Sequence, residues 1–356
     1  MWLERVRISG VRCLEEVELS LDPHKNYFFG PNGAGKTSLL EAIHLLGRGR
    51  SFRTRETKRL IQRGREGLSV FGETQDTGGR MRRIGVQLTG GRLTGRVDGV
   101  TCESIAELAR ILPVHVIDPR LHQLVEAGPS ERRRFLDGGV FHVEHSYLAS
   151  WRLYRRLLGQ RNAALKAHAT DAELKAWTEP LLDAAASVHA ARSRYVAGLE
   201  ALLEGLGQRL LGAQISADYR PGWRRDMDLA EALRESRQKD REAGFTQVGP
   251  HRADLRLRFD RGDIKDVASR GQQKLVAAAL VIGQARLFEE STGQEGVLLV
   301  DDAAAELDSA ALARLLSEIE VLRSQLVLTG LDRGALKATD GFPVFHVEQG
   351  KVRSVL

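Results

Sequence analysis

Two short motifs about 260 residues apart constrain this chain more than anything else in it. The first is Gly30-Pro31-Asn32-Gly33-Ala34-Gly35-Lys36-Thr37, and the second is the apolar run Val297–Val300 that ends in Asp301 and Asp302. A loop can wrap a phosphate in backbone N–H groups only where side chains do not intrude, and Gly30, Gly33 and Gly35 give that room. Lys36 is then placed to reach β and γ phosphates as a point charge, and the Thr37 hydroxyl to enter a Mg²⁺ coordination shell. The flanks agree: residues 26–29 predict the end of a strand and residues 38–46 an amphipathic helix.

The second motif narrows the chemistry. A short, wholly apolar run suits a parallel strand buried on both faces, and an acid at its carboxyl end sits where open α/β sheets bind ligands. Asp301 is the candidate for holding Mg²⁺, through water. Asp302 is the candidate for facing the water that attacks a γ phosphate, with Lys36 as the other catalytic candidate. Both acids could instead cap the helix that follows. Between the two motifs stands Ser269-Arg270-Gly271-Gln272-Gln273-Lys274, directly before an apolar helix over residues 275–287. A hydroxyl, a glycine amide and a helix N-terminus make a second anion site. One phosphate group does not need two such cradles from one subunit. The simplest arrangement has Ser269, Gly271 and Gln272 closing over a γ phosphate held by the Lys36 loop of a second copy, which makes the nucleotide part of an interface. Taken as a bare motif, the same residues could serve only as a helix cap.

In this order, and followed by Glu306, Leu307 and Asp308, the motifs resemble the ABC-type ATPase heads of the SMC group, and within it the RecF family of bacterial DNA repair proteins. The likeness runs nearly end to end, through residues 26–53, GPSERRRFLD at 128–137, GPHR at 249–252, SRGQQK at 269–274 and VDDAAAELD at 300–308. The resemblance implies an α/β fold, an SMC-like P-loop ATPase head with an inserted helical arm lobe, using ATP and Mg²⁺. It implies a homodimer formed on ATP that binds single- and double-stranded DNA or their junctions at gaps. It also implies action with RecR and RecO in loading RecA, in recombinational repair, replication maintenance and SOS induction. By similarity to SMC heads, Arg12 is a candidate for the adenine side.

Organisation along the chain fits an insertion. Residues 1–118 alternate short β-type runs with glycine turns and carry the phosphate loop; 119–244 show apolar residues at helical spacing; from 245 to 356 strands return. Because the phosphate loop and the acidic strand must lie side by side, the helical middle has to be inserted into one head. No sustained heptad appears, so a compact lobe is expected in place of a long coiled coil. Pro180 would start a new helix or kink an existing one.

The formal net charge of +6 favours a polyanionic partner. The two cysteines, Cys13 and Cys102, have no metal-ligand spacing and suit a reducing compartment. With no leader-like apolar stretch at the start and no run long enough to span a bilayer, a cytoplasmic protein without a membrane association is expected. Two basic stretches compete as a DNA surface. The first is Arg48, Arg50, Arg53, Arg55, Lys58 and Arg59, continued by Arg63 and Arg65; the second is Arg152, Arg155, Arg156 and Arg161, which would share much of one helix face. Either could be an ordinary solvated face. His251 and Arg252 could line a nucleotide or buttress the fold.

ABC ATPases usually place Glu where this chain has Asp302, and the transporter members a His where it has Thr329 and Gly330, although RecF proteins share the paired aspartates. Slow hydrolysis follows, a weak DNA-stimulated ATPase serving as a timer. A transporter ATPase subunit is disfavoured by the same residues. A nucleotide-sensing interaction module with negligible turnover stays open.

Overall fold

The structure, a computed structural model, describes residues 1–302, 307–333 and 343–355; Glu306 of the acidic motif lies outside them. Contacts divide the chain into two compact units, Met1–Leu121 with Phe288–Leu356, and His122–Leu287. The sequence reading returned to the head at residue 245, whereas residues 245–287 group by contact with the helical unit.

The first unit contains two sheets. One is antiparallel and six-stranded among the described residues, in the order Leu14–Ser20, Trp2–Val11, Gly67–Gln75, Met81–Thr89, Arg92–Val97, Val100–Thr101. Its strands alternate cleanly: Val6, Ile8, Val17, Leu19, Val70, Ile84 and Val86 face a core while Arg7, Glu18 and Gln87 stay outside. The other sheet runs Lys351–Val355, Val344–Glu348, Lys25–Phe29, Gln325–Gly330, Val297–Val300, Val114–Ile117, parallel except for the hairpin formed by the first two. Val297–Val300 and Gln325–Gly330 are buried at every position, as a sheet covered on both faces requires.

The helix Lys36–Arg48 explains why both sheets belong to one core. Every residue from Ser38 to Gly47 is buried, which suits a helix enclosed on all sides, and it packs against strands of both sheets. Leu39, Leu40, Ile43, Leu45 and Leu46 join Val6, Ile8, Val70, Leu299 and Val327 in one cluster. At roughly 2 kcal/mol for each fully buried aliphatic side chain, this cluster is the main holding force of the unit.

The phosphate loop lies beside the end of the acidic strand, with Thr37 Oγ1 3.0 Å from Asp301 Oδ1, although the strands that carry the two motifs do not pair. The phosphate-loop strand Lys25–Phe29 and the acidic strand Val297–Val300 are not neighbours, because Gln325–Gly330 lies between them. The intervening strand pairs with both in parallel register, Val327 with Asn26 and with Leu299.

The second unit is mainly helical: Pro129–Val143, Tyr147–Lys166, Asp171–Leu211, Leu229–Ala243 and most of Arg270–Thr292, with a small antiparallel sheet of Ser216–Arg220, Asp254–Phe259 and Gly262–Asp263. Asp171–Leu211 is continuous over 41 residues, about 60 Å. Thr170 and Glu173 form a reciprocal capping box at its start, and Gly212 in left-handed conformation ends it. Pro180 sits inside this helix without ending it. Its buried stripe, Leu181, Ala184, Val188, Ala191, Tyr195, Leu199, Leu203, Leu206 and Leu210, has the three-to-four spacing that seats one helix on another.

Two motifs carried by the resemblance meet inside this unit. From 128–137, Arg132 makes a bidentate pair with Asp254 at 2.8 and 3.0 Å, and Arg133 donates to the Ala253 carbonyl at 2.6 Å. Asp137 pairs with buried Arg192 at 2.7 Å, and the same guanidinium donates to the carbonyl of Pro250 in GPHR at 2.7 Å. Burial alone would lower the Arg192 pKa, but the carboxylate of Asp137 and the tyrosines Tyr147 and Tyr219 outweigh it and raise it. His251 uses both ring nitrogens internally, Nδ1 with Tyr154 Oη at 2.6 Å and Nε2 with the Thr246 carbonyl at 2.9 Å. Burial drives its pKa down to about 4.

Candidate functional site

The phosphate loop runs from the end of Lys25–Phe29 into the first turn of Lys36–Arg48. Gly30 has φ +156°, and a Cβ there would lie 2.1 Å from the Val347 carbonyl oxygen, so only glycine lets the loop pass the neighbouring strand. Gly35, at φ +119°, begins the helix in a conformation that L side chains rarely adopt. Lys36 folds back over the loop and donates to the carbonyls of Gly30 at 2.6 Å and Pro31 at 3.0 Å. Burial lowers its pKa, while Asp302 and Asp301 pull it back up. The ammonium is therefore held in the loop by neutral carbonyl oxygens, which an anionic oxygen would replace at a gain in charge-assisted bonding.

Thr37, Asp301 and Thr329 form one hydroxyl–carboxylate–hydroxyl set. Thr37 Oγ1 lies 3.0 and 2.9 Å from the two Asp301 carboxylate oxygens. Thr329 Oγ1, on the intervening strand, donates to Asp301 Oδ1 at 3.0 Å and accepts the Asp302 backbone N–H at 2.9 Å. Asp302 has φ +49°, uncommon for a residue other than glycine, and the Thr329 hydroxyl is what holds its amide there. Burial raises the Asp301 pKa, against the two threonine hydroxyls and Arg53, which lower it. A further acid, Asp118 at the carboxyl end of Val114–Ile117, is raised by burial and by Asp301. The donors present, a hydroxyl and a carboxylate, are the hard oxygen type that suits Mg²⁺ shared with phosphate oxygens.

Beside the loop, Arg12 occupies the turn between the first two strands at φ +56° and pairs through Nε and Nη2 with both oxygens of fully buried Glu41, each at 3.0 Å. Ser51 also donates to Glu41, and Arg53 lies 3.8 Å from it. The guanidinium suggested for the adenine side is thus anchored to the helix that follows the loop.

In the other unit, Ser269 and Gln272 bond reciprocally at the start of Arg270–Thr292. Gln272 N–H donates to Ser269 Oγ at 3.3 Å, and Ser269 N–H to Gln272 Oε1 at 3.0 Å. This is the helix cap that the bare motif allowed. A Cβ at Gly271 would meet nothing within 4 Å, so that side of the helix start is open space.

The first basic stretch is largely exposed: Arg50, Arg53, Arg55, Lys58, Arg59, Arg63 and Arg65 all face solvent, while Arg48 is half-buried and donates to the Val114 carbonyl at 3.0 Å. Arg59 pairs with Glu56 at 2.8 Å, and Arg65 with Glu15 and Glu16 at 3.3 and 3.4 Å. On the second stretch Arg152, Arg155 and Arg156 are exposed, but Arg161 is not. It is 1 % exposed and bonded to Asp240 at 2.8 Å and Thr246 at 2.6 Å, so the expected four-arginine face does not form.

Sequence reasoning missed the role of Thr329, noted there only for not being His, and missed Asp118, Glu41 and Ser51. The position of Thr329 at the end of an apolar run, matching that of Asp301, was the one available signal.

The sequence profile of the RecF/RecN/SMC N terminal domain matches residues 2–353. Among curated proteins, the DNA replication and repair protein RecF of Thioalkalivibrio sulfidiphilus is 42% identical over 357 residues, covering 99% of both chains. That of Azotobacter vinelandii is 41% identical over 362 residues, covering 99% of this chain and 98% of its own. Among solved structures, the recombination mediator protein RecF-ATP of the RecFOR pathway superposes with a TM-score of 0.90 at 25% identity, covering 100% of this chain and 98% of the other. An Smc head bound to the C-terminal winged-helix domain of ScpA shares the fold, with a TM-score of 0.60 at 15% identity, covering 100% of this chain and 97% of its own. An α/β chain with an ABC- and SMC-type head, matched over nearly its whole length by proteins of this name, belongs to the RecF family.

Proposed function

We propose that this protein is an ATP-dependent DNA-binding mediator of recombinational repair that dimerises around ATP and is released by slow hydrolysis. The observation that carries the proposal is the set formed by Lys36, held 2.6 Å from the Gly30 carbonyl, and by Thr37 and Thr329 on Asp301. It supplies what a nucleoside triphosphate needs: glycine-lined amides, a cation without a carboxylate partner in contact among the described residues, and a hydroxyl–carboxylate pair for Mg²⁺. In this reading residues 30–37 bind the phosphates, and Thr37 and Asp301 hold Mg²⁺. When bound, Mg²⁺ would neutralise charge on the β and γ oxygens. Lys36 exchanges its carbonyl partners for phosphate oxygens. Asp302, aimed by Thr329, orients the attacking water; its carboxylate is one methylene shorter than the usual Glu, which suits a timer more than a motor.

Ser269, Gly271 and Gln272 would complete the site in trans on a second copy. Their capping bonds do not oppose this, because the first turn of a helix has more backbone N–H groups than one capping box satisfies. Residues 245–287 would then act with the ATPase head although they group with the helical unit. The exposed basic stretch from Arg50 to Arg59 is proposed to meet the DNA backbone, with Arg48 at its buried end; recognition would be of phosphates and shape, without base reading. Function with RecO and RecR before RecA, replication maintenance, SOS induction and a cytoplasmic location follow from the family as parts of the same proposal; no described helix is long and apolar enough to cross a membrane.

The test is equilibrium binding to a fluorescent gapped duplex with ATP, ADP or no nucleotide, with oligomeric state followed in parallel. ATP should drive both dimerisation and tight binding, and Lys36→Ala and Ser269→Arg should each abolish them. Nucleotide-independent binding, with Ser269→Arg like wild type, would overturn the composite site.

A further inference from the structure

The helical unit contains a cavity of about 560 Å³ that uses none of the nucleotide motifs. One wall is a stripe of the helix Asp171–Leu211, where Leu182, Ala186, His189 and Ser193 recur at helical spacing. The opposite wall comes from Tyr219 at the end of Ser216–Arg220, from Trp223 in the turn that follows, and from the first residues of Leu229–Ala243. Three rings gather there: His189 stacks on Tyr219 with centroids 5.7 Å apart and meets Trp223 edgewise at 5.0 Å. His189 Nδ1 is buried without a hydrogen-bond partner among the described residues. Burial, assisted by Arg192, lowers the imidazole pKa, so the three rings present uncharged π faces.

The charge at the rim is unbalanced. Arg225 is spent on Asp218 and on the Tyr219 carbonyl, and Arg224 on Asp226. Asp183 and Asp228 also line the cavity, and neither has an ion pair among the described residues. Asp228 accepts the Glu231 N–H as a helix cap at 2.7 Å through one oxygen. Aromatic faces next to two uncompensated carboxylates attract a cation and repel a phosphodiester. Among protein cations the guanidinium fits best, because its plane stacks on rings while its fork matches carboxylates. The volume leaves room beside it for an apolar neighbour against Leu182, Ala186 and Met227.

We infer that this cavity is a docking site for an arginine side chain, flanked by an apolar residue, in a segment of a partner protein. The aromatic walls and the carboxylates of Asp183 and Asp228 are the determinants. A nucleobase stacked on Trp223 is the competing occupant, and it is disfavoured by the same carboxylates.

The test uses the full chain with labelled tryptophan indoles, followed by NMR while acetyl-Leu-Arg-Leu-amide, its citrulline counterpart or a twelve-residue oligothymidylate is added. The arginine peptide should move the Trp223 indole signal, identified by its loss in Trp223→Phe, to saturation. The citrulline peptide should bind roughly tenfold more weakly. The double variant Asp183→Asn, Asp228→Asn, whose second asparagine keeps the helix cap, should weaken the arginine peptide by a similar factor with unchanged thermal unfolding. No saturable shift, equal binding of arginine and citrulline peptides, or an unaltered double variant would overturn the inference. Oligothymidylate binding at Trp223 that the arginine peptide cannot displace would assign the cavity to nucleic acid instead.

Discussion

A single hydroxyl connects the two acids of the proposed hydrolytic site. Thr329 accepts the amide of Asp302 and donates to the carboxylate of Asp301, and it is 1 % exposed, so no solvent replaces it. Thr329→Val keeps the shape and removes both bonds, leaving the Asp302 N–H without an acceptor at a cost of about 1–3 kcal/mol. ATP hydrolysis should fall at least roughly tenfold while ATP affinity, proposed to be set mainly by residues 30–37, changes little; Thr329→Ser should restore the rate. Steady-state kinetics beside nucleotide titration would check this, and an affinity loss as large as the rate loss would deny Thr329 a role in aiming Asp302. Asp301 allows a second prediction, with the sign fixed by its raised pKa. A carboxyl raised in the folded state contributes stability below its unfolded value near 3.9, and that contribution is lost as pH rises through the folded pKa. Asp301→Asn should therefore raise the melting temperature of the nucleotide-free protein at pH 7, by about 2 °C, and the gain should vanish in acid below the unfolded value. Scanning calorimetry at the two pH values decides it. Gly30→Ala belongs here too: a methyl 2.1 Å from the Val347 carbonyl cannot be accommodated without moving the loop, so nucleotide binding should be lost.

At the scale of elements, legibility followed how much of the signal was local. Val297–Val300 was found at its true limits because a short unbroken apolar run has few alternatives. The phosphate-loop helix was placed correctly because glycine, lysine and apolar spacing agree. The strand Ser216–Arg220 and the terminal hairpin Val344–Glu348 and Lys351–Val355 were not seen, since five-residue strands that mix apolar and polar residues give too short a local pattern to mark a strand. The position of Gln325–Gly330 between the strands of the two nucleotide motifs depends on sheet order, which no local pattern encodes. Arg161 failed for a different reason: helical spacing predicts which residues share a face, but not that Asp240, Thr246 and Thr178 from other elements draw this guanidinium inward. Within Lys36–Arg48, His44 shows what enclosure does to a titratable group. It is bonded to the Arg50 carbonyl at 2.6 Å, and burial pushes its pKa down to about 3. Such a histidine contributes stability above its unfolded value of about 6.5 that is lost as pH falls toward the folded value. Between pH 7 and pH 5 the wild type should lose up to about 2 kcal/mol more stability than His44→Gln, which has no such proton to bind. Denaturant unfolding of both at the two pH values measures the difference; parallel loss would show that His44 is not the group responsible.

At the scale of the whole molecule, the question is whether hydrolysis or mere occupancy times the proposed complex on DNA. Both readings need residues 30–37, so Lys36→Ala cannot separate them. Asp302→Asn can, because it keeps the loop, the proposed Mg²⁺ donors and the backbone amide that Thr329 holds, and removes only the carboxylate. In the timer reading, phosphate release should slow by about a hundredfold or more, and the ATP-bound dimer should persist on gapped duplex for correspondingly longer. In the sensing reading, neither quantity moves, because dissociation follows nucleotide exchange alone. Single-turnover phosphate release and competitor-chase lifetimes, measured on the same preparation, give the answer together. A slower release with an unchanged lifetime would place hydrolysis outside the release step, leaving nucleotide exchange as the clock even though the site can cleave ATP. A joint slowing would tie the paired aspartates to disassembly, consistent with a shortened carboxylate that holds turnover slow enough for partner proteins to act while the complex stays on DNA.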